Sequence, residues 1–181
     1  MLLVTAAILN LTLYSLDVSN CFQSNAIKPE ERLWIASPVR YVEWFKLTYP
    51  QAKLEPSPSG KYVLQTINGM QGGKDAGRSW YLLLVDIFQD FGLRPCPAEP
   101  ALFVFYDGQE TLALCTSTDD FLCAASGKDI FQRFVDHMKR FVSVTCQAEA
   151  MLKYLNVRVI QSEYGVSFDQ THHIQTCILE H

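Results

Sequence analysis

Apolar and polar residues follow one another along this chain in a pattern that predicts both helices and strands. Residues 1–22 carry one charge, Asp17, and predict a buried helix that runs into a buried strand. A polar stretch over 29–32 and a short apolar run over 33–35 come next. Three residues that disfavour regular structure, Pro56, Pro58 and Gly60, then mark a surface loop over 51–61.

Two amphipathic helices are predicted farther along the chain. From Gly77, apolar residues recur at three- and four-residue spacing until Gly92, which suits the position after a helix end. A second helix follows Ser126, a residue type that often caps a helix start. Its apolar face comprises Ile130, Phe131, Phe134, Val135, Met138 and Phe141.

Strands are predicted between and after these helices. Residues 102–106 form one apolar run, and residues 112–125 form two further runs separated by a polar turn over 117–120. Two more strands, 153–161 and 166–170, flank a turn at Tyr164 and Gly165.

This order of elements predicts an α+β fold of the split βαββαβ kind. We expect an antiparallel sheet with two helices packed on one face, within a single domain over 1–181. Polymerase palms use this arrangement, and so do unrelated proteins such as RNA-recognition modules, so the fold alone does not decide the function.

Composition supports a packed core and excludes disorder. Of the 181 residues, 49% are hydrophobic. The six cysteines show no Cys-x-x-Cys spacing, which favours free thiols over disulfides or zinc and indicates a reducing compartment. The net charge of −4 counts against a nucleic-acid partner, because phosphate contacts usually need a basic surface.

The apolar N-terminal segment is not predicted to be a signal peptide or a membrane span. The first lysine is Lys28, so a basic leader region is absent, and Asn10, Thr12 and Tyr14 interrupt the apolar run. We therefore expect a cytoplasmic or nuclear protein without a membrane partner. A start this deep in apolar sequence also suggests a domain that is entered partway.

Two adjacent acids, Asp119 and Asp120, occupy the turn between the two uncharged strands. Two carboxylates about 4 Å apart repel by roughly 4 kcal/mol at an effective dielectric constant near 20. Asp is also an ordinary turn residue, so this pair alone has two interpretations. A third acid, Asp17, ends another apolar strand. Three carboxylates at strand ends suit two divalent cations, Mg²⁺ or Mn²⁺, in a phosphoryl-transfer site.

Several segments resemble the reverse transcriptase of copia-type (pseudoviral) long-terminal-repeat retrotransposons. Residues 16–22 are similar to the family's Leu-Asp-Val-x-x-Ala-Phe motif, and residues 33–38 to its following aromatic-to-Pro segment. Residues 63–81 align without a gap to the block that ends in Lys-Gln-Ala-Pro-Arg-Ala-Trp-Tyr. Residues 118–120 match the Tyr-Val-Asp-Asp box, and residues 154–159 resemble the Phe-Leu-Gly-Ile-Glu-Ile strand.

The resemblance implies a polymerase palm with two metal ions. Asp17, Asp119 and Asp120 would be the catalytic acids that hold both Mg²⁺ or Mn²⁺ ions, Asp120 more peripherally, and the Val18 carbonyl would assist. Such an enzyme is an RNA-directed DNA polymerase, in which the primer 3′-hydroxyl attacks the α-phosphate of a deoxynucleoside triphosphate (dNTP).

The resemblance also implies substrate contacts. Phe22 would exclude a 2′-hydroxyl from the incoming sugar, and Gln71 and Gly72 would lie against the nucleotide. Leu155 and Asn156 would approach the primer end. The partners would be an RNA or DNA template with its primer, the dNTP, and other domains of the retrotransposon polyprotein.

Several of these residues, and four nearby charged or histidine residues, can also be explained by structure alone. Phe22 is a candidate core residue, and residues 71–73 are a candidate flexible turn. Lys74 and Arg78 are solvated charges at a helix start in this interpretation. His172 and His173 would point to opposite faces of a strand and would not share a metal.

Four positions depart from the family pattern. Ser117 stands where an aromatic residue is expected, and Cys21 replaces a small alanine. Gly77 replaces a proline, and Asn156 replaces a glycine that allows close backbone approach. The resemblance further implies that the fingers are missing and the thumb is truncated, so we expect the chain alone to be inactive.

Two other functions stay open at this point. One is a non-catalytic remnant or domesticated module that binds nucleic acid or protein. The other is an RNA-recognition module, which would need exposed aromatic residues on its central strands, where this hairpin offers Leu, Ala, Cys and acids.

Overall fold

The computed structural model describes residues 1–24, 26, 28, 30, 32–73, 75–148 and 151–179. Within these ranges five α-helices and a short 3₁₀ helix, Cys21–Ser24, are formed. The α-helices are α1 (Leu2–Ile8), α2 (Val39–Thr48), α3 (Ala76–Phe91), α4 (Lys128–Met138) and α5 (Thr171–Leu179).

The largest sheet has six antiparallel strands. They are β1 (Thr12–Val18), β4 (Arg94–Cys96), β5 (Glu99–Tyr106), β6 (Thr111–Ser117), β7 (Asp120–Ala125) and β8 (Val144–Gln147). Their order in space is β4-β5-β6-β7-β1-β8. Strand β1 therefore lies between β7 and β8 and pairs with both in antiparallel register.

Two smaller sheets complete the strand inventory of the described residues. A three-stranded sheet orders β11 (Gly165–Asp169), β10 (Val157–Ser162) and β9 (Met151–Tyr154). A two-stranded sheet pairs β2 (Trp34–Ala36) with β3 (Val63–Gln65).

Helices α3 and α4 cover one face of the large sheet with an aromatic core. Phe88 of α3 packs edge-on against Phe103 and Phe121 of the sheet and meets Phe134 of α4. All four side chains are fully buried. This face matches the prediction of two helices on one side of an antiparallel sheet.

The opposite face of the large sheet is covered as well. Helix α1 and the three-stranded sheet pack there, around Leu13, Leu122, Leu152 and Val159. Residues Phe121 through Ala125 of β7 are consequently buried on both faces, which explains why that strand is an uninterrupted apolar run.

Gln161 joins the three-stranded sheet to β1. Its side-chain amide accepts a hydrogen bond from the Leu13 N–H at 2.8 Å and donates one to the Leu11 carbonyl at 2.6 Å. The amide satisfies backbone groups that a neighbouring strand would otherwise bind.

The predicted helices exist, with one correction at a cap. Gly92 ends α3 in the left-handed conformation, at φ +103°, as its position predicted. The prediction that Ser126 caps α4 is wrong, because Gly127 holds that position and no side chain caps it. The Ser126 hydroxyl instead accepts a hydrogen bond from the Thr111 N–H at 2.9 Å.

Two predictions near the C-terminus are wrong. Residues 153–161 form parts of two strands, because Leu155 and Asn156 make a turn between β9 and β10. The strand that returns to the large sheet after α4 is β8, which apolar periodicity did not reveal.

The second wrong prediction concerns His172 and His173. They lie in α5, so they do not alternate along a strand.

All six cysteines lie in the described part of the chain and are free thiols, as the spacing predicted. No helix in the described ranges is long and apolar enough to span a membrane.

Candidate active site

The ends of strands β1, β7 and β6 lie side by side, and two of the three acids are neighbours there. Asp17 on β1 lies directly opposite Asp120 on β7, and Asp120 lies opposite Ser117 on β6. Directly paired residues on antiparallel strands project to the same face, with Cβ atoms about 4.5–5.5 Å apart. The fold therefore brings Asp17 next to Asp120, although about a hundred residues separate them along the chain.

Asp119 occupies the two-residue turn that joins β6 to β7. Thr118 precedes it with φ +53°, whereas Asp119 has a negative φ. A positive φ at the first central position of a two-residue hairpin turn usually calls for glycine, asparagine or aspartate. A β-branched residue there is a conformational outlier, so the turn must be held by contacts.

Both peptide groups that flank Asp119 are held by hydrogen bonds. The Trp80 indole N–H donates to the Thr118 carbonyl at 2.6 Å. The Val18 N–H donates to the Asp119 carbonyl at 2.9 Å. Val18 is buried, and its main chain therefore ties the end of β1 to the acid-bearing turn.

The charges of the neighbouring acids affect the pKa of Asp120. Partial burial raises the pKa of Asp120, and the negative charges of Asp119 and Asp17 raise it further. The Leu155 N–H and the Lys153 ammonium lower the pKa of Asp120 and so act in the opposite direction. Burial followed by the charge of Asp119 also raises the pKa of the Cys21 thiol, which places this thiol close to the acids.

A cleft of about 290 Å³ lies on one side of the acids. Asp17 and Asp120 form one wall, and the turn at Leu155 and Asn156 forms another, together with Lys153. Both turn residues have positive φ, +49° and +63°, as a type I′ hairpin requires. Asn156 thus replaces the expected glycine with the other residue type that tolerates this conformation.

A second cleft, of about 200 Å³, lies on the other side of the turn. Asp119 borders it together with Phe22, Gln71 and Cys21. Gly69 packs under Phe22 so closely that a methyl group there would collide with the Phe22 carbonyl oxygen. The segment that carries Gln71 is therefore fitted against the 3₁₀ helix that carries Phe22.

The sequence-predicted site residues fall into two groups around the acid-bearing turn. Asp17, Asp120, Leu155 and Asn156 share the first cleft, and Asp119, Phe22 and Gln71 share the second. Gly72 is exposed beside Gln71, with φ +82°, and does not line that cleft.

Two neighbours of the acids escaped sequence analysis. Trp80 fitted the apolar face of a helix, so its indole N–H was not recognised as a hydrogen-bond donor. Lys153 lay within a predicted strand and was not assigned to the site. Of the two cations near residues 71–78, Arg78 is exposed on α3, and Lys74 lies outside the described residues.

The donor chemistry of the acids fits divalent cations. Carboxylate oxygens are the ligands that Mg²⁺ and Mn²⁺ prefer. The raised pKa of Asp120 reflects burial first and then the charges of Asp119 and Asp17, a repulsion that a cation would relieve. Across the described ranges, no three His, Cys, Asp or Glu side chains are already grouped as a metal site. Asp119 borders a different cleft from Asp17 and Asp120.

Comparison with known proteins identifies the family of the chain. No curated protein matches the chain. The family model described as reverse transcriptase (RNA-dependent DNA polymerase) matches residues 1–181, the whole length of the sequence. Reverse transcriptases act on a template and primer with dNTPs, and they generally use divalent metals. The chain belongs to the reverse transcriptase (RNA-dependent DNA polymerase) family.

Proposed function

We propose that this chain is the palm region of a copia-type retrotransposon reverse transcriptase. Together with the other parts of such an enzyme, it would transfer a nucleotide from a dNTP to the 3′-hydroxyl of a primer that is paired with an RNA or DNA template. The observation that carries this proposal is the turn with Asp119, which stands between two clefts and lies next to the Asp17–Asp120 pair.

The order of elements supports a palm. Strand β1, helix α3, hairpin β6–β7, helix α4 and strand β8 occur in this order along the chain, with β2, α2 and β3 inserted before α3 and with β4 and β5 inserted after it. The four strands lie in space as β6-β7-β1-β8. Helix α3 lies on the connection between β1 and β6, and in the sheet β7 lies between these two strands. Helix α4 connects β7 to β8, and β1 lies between them, as in a split βαββαβ unit. This arrangement brings the end of β1 and the β6–β7 turn to the same edge of the sheet, where the acids meet.

Asp17, Asp119 and Asp120 would hold two Mg²⁺ or Mn²⁺ ions. Bound in this way, such ions activate the attacking hydroxyl and stabilise the leaving oxygen of an in-line phosphoryl transfer. The Val18 N–H and the Trp80 indole fix the turn from which Asp119 extends its carboxylate. The division of ligands between Asp119 and Asp120 stays a prediction.

The two clefts would separate primer from nucleotide. Leu155 and Asn156 line the same cleft as Asp17 and Asp120, so a primer end on these two turn residues would lie beside the acids. Phe22 and Gln71 border the cleft of Asp119, where Phe22 would meet the sugar and Gln71, with Gly72, the base pair. Ser117, opposite Asp120, supplies no aromatic support there.

The protein would work in the cytoplasm or nucleus beside the other domains of its polyprotein. It would have no membrane partner.

Mn²⁺ binding tests the metal site directly. The concentration of free Mn²⁺, measured by electron paramagnetic resonance, gives its affinity for the wild-type chain and for Asp17→Asn. We expect Asp17→Asn to weaken binding by about tenfold or more, as loss of a metal-site group does. The matched control is Asp86→Asn, which removes an exposed acid from α3 and should bind Mn²⁺ like the wild type.

Primer extension tests the reaction. The assay uses a labelled primer, an RNA template, dNTPs and Mn²⁺, with the 181-residue chain and with the same chain joined to its flanking coding sequence. We expect extension in the longer form and its loss in Asp120→Asn. A folded protein that retains template binding but never binds Mn²⁺ would instead be a non-catalytic nucleic-acid-binding module.

A further inference from the structure

Trp80 is a buried indole whose single polar atom reaches the active-site turn. The side chain is 2% exposed, and its N–H donates to the Thr118 carbonyl at 2.6 Å. A buried indole N–H usually needs an acceptor, but many carbonyls could serve. Here the acceptor is the peptide group immediately before Asp119.

The conformation of Thr118 makes this hydrogen bond important. With φ +53° and a branched Cβ, Thr118 adopts a backbone conformation that is unfavourable without external contacts. The residue is exposed, so packing against its side chain does not hold it. A second hydrogen bond to the turn comes from the Val18 N–H, which donates to the next carbonyl, that of Asp119.

Trp80 also links the turn to the segment that carries Gln71. Helix α3 begins at Ala76, one turn before Trp80, and Gln71 lies just upstream of that start. The Gly73 N–H donates to the Met70 carbonyl at 2.9 Å, which closes a tight turn in this segment. Trp80 therefore connects two parts of the second cleft: the segment with Gln71, which precedes α3, and the turn with Asp119.

We propose that Trp80 is a positioning residue: its indole N–H holds the Thr118 carbonyl and thereby sets the direction of the Asp119 carboxylate. The consequence for catalysis rests on the proposed function, whereas the control of the turn does not. A substitution that removes the N–H and keeps the ring should loosen the turn and leave the rest of the core intact.

Amide hydrogen exchange measured by nuclear magnetic resonance tests the control of the turn. In Trp80→Phe, we expect the Val18 and Asp120 amides to exchange about five- to tenfold faster relative to the other amides of β1 and β7. The control, Ile87→Val, removes a methylene from a buried residue about two turns farther along α3. It should change exchange evenly, without a selective effect at the turn.

The indole signals provide an internal check on the wild type. Of the three tryptophans, Trp34 and Trp44 are 65% and 50% exposed, so the slowest-exchanging indole N–H should belong to Trp80 and vanish in Trp80→Phe. If Trp80→Phe does not fold, benzothienylalanine at position 80 keeps both rings, replaces the N–H by sulfur and decides the same question.

Mn²⁺ affinity is the second measurement and separates this inference from the proposed function. We expect about three- to tenfold weaker binding in Trp80→Phe and none of this loss in Ile87→Val. Faster turn exchange in a protein that never binds Mn²⁺ would support the role of Trp80 and refute the metal site. Unchanged turn exchange, with Mn²⁺ binding still dependent on Asp119, would overturn the role of Trp80 and leave the metal site standing.

Discussion

Asp17 and Asp120 face each other across strands β1 and β7 as an acid–acid pair. The other five register pairs of these two strands contain no charged residue. Like charges directly opposite on a sheet are destabilising, so this pair is difficult to explain by stability alone. The proposed metal site would account for this pair, because divalent cations relieve repulsion between carboxylates.

Removing the charge of Asp120 should stabilise the chain at neutral pH. Burial and the charges of Asp119 and Asp17 raise the pKa of Asp120 above its ordinary value of 3.8, so the folded state binds the proton more tightly than the unfolded state. Stability therefore falls as pH rises from 3.8 through the raised pKa and stays lower above it. We expect Asp120→Asn to add about 0.2–1 kcal/mol to the free energy of unfolding at pH 7.

Urea unfolding between pH 3 and pH 8 measures this difference. The gain should disappear below the ordinary Asp pKa, where both variants are uncharged at position 120. Asp86→Asn, a change of one exposed acid on α3, should show no such pH dependence. Marked destabilisation by Asp120→Asn would show that the carboxylate is needed mainly as a hydrogen-bond acceptor in the folded chain.

Thr118→Gly should relieve strain in the acid-bearing turn. The left-handed conformation costs a non-glycine residue roughly 1–2 kcal/mol, whereas glycine loses roughly 0.5–1 kcal/mol through its freer unfolded chain. We expect a net gain of up to about 1 kcal/mol in the free energy of unfolding. Thr116→Gly, two residues earlier within β6, should instead lose stability, because its backbone is extended and pairs with Phe121. A loss at both positions would mean that Thr118 is not strained.

Asn156 should tolerate glycine better than alanine. At φ +63° asparagine and glycine fit, and alanine pays the left-handed cost of roughly 1–2 kcal/mol. Chemical denaturation should therefore show Asn156→Gly within about 0.5 kcal/mol of the wild type and Asn156→Ala clearly less stable. Equal stability of the two variants would show that the β9–β10 turn relaxes to another conformation.

Gly69→Ala and Gly77→Ala should change stability in opposite directions. A methyl group at Gly69 collides with the Phe22 carbonyl, so the backbone must move, at a cost of about 1–3 kcal/mol typical of overpacking. At Gly77, in the first turn of α3, a methyl group meets nothing within 4 Å, and alanine favours helix by up to about 1 kcal/mol. Thermal unfolding of both variants checks this, and a tolerated Gly69→Ala would contradict the close packing under Phe22.

Local patterns in the sequence predicted α3, α4 and the β6–β7 hairpin. Helical spacing, the glycine after α3 and the polar turn between two apolar runs act within a few residues, so they can be recognised without a fold. The three acids were also evident, because Asp17, Asp119 and Asp120 stand out against uncharged strands.

Strand β8 and the turn between β9 and β10 were missed because their local sequence signals are weak. Strand β8 has only four residues and is largely exposed, so apolar periodicity does not mark it. The turn at Leu155 and Asn156 lacks glycine, which hid the boundary between β9 and β10. Both elements form because strands distant in sequence supply their hydrogen-bond partners.

The sequence by itself determined the residue types that the chemistry needs and the family to which they point. Only the tertiary structure decided that Asp17 pairs with Asp120, that Asp119 borders a different cleft, and that Trp80 binds the turn. Strand register and side-chain hydrogen bonds depend on contacts between segments far apart in the chain. Such contacts are fixed when apolar faces pack together, and no local pattern encodes them.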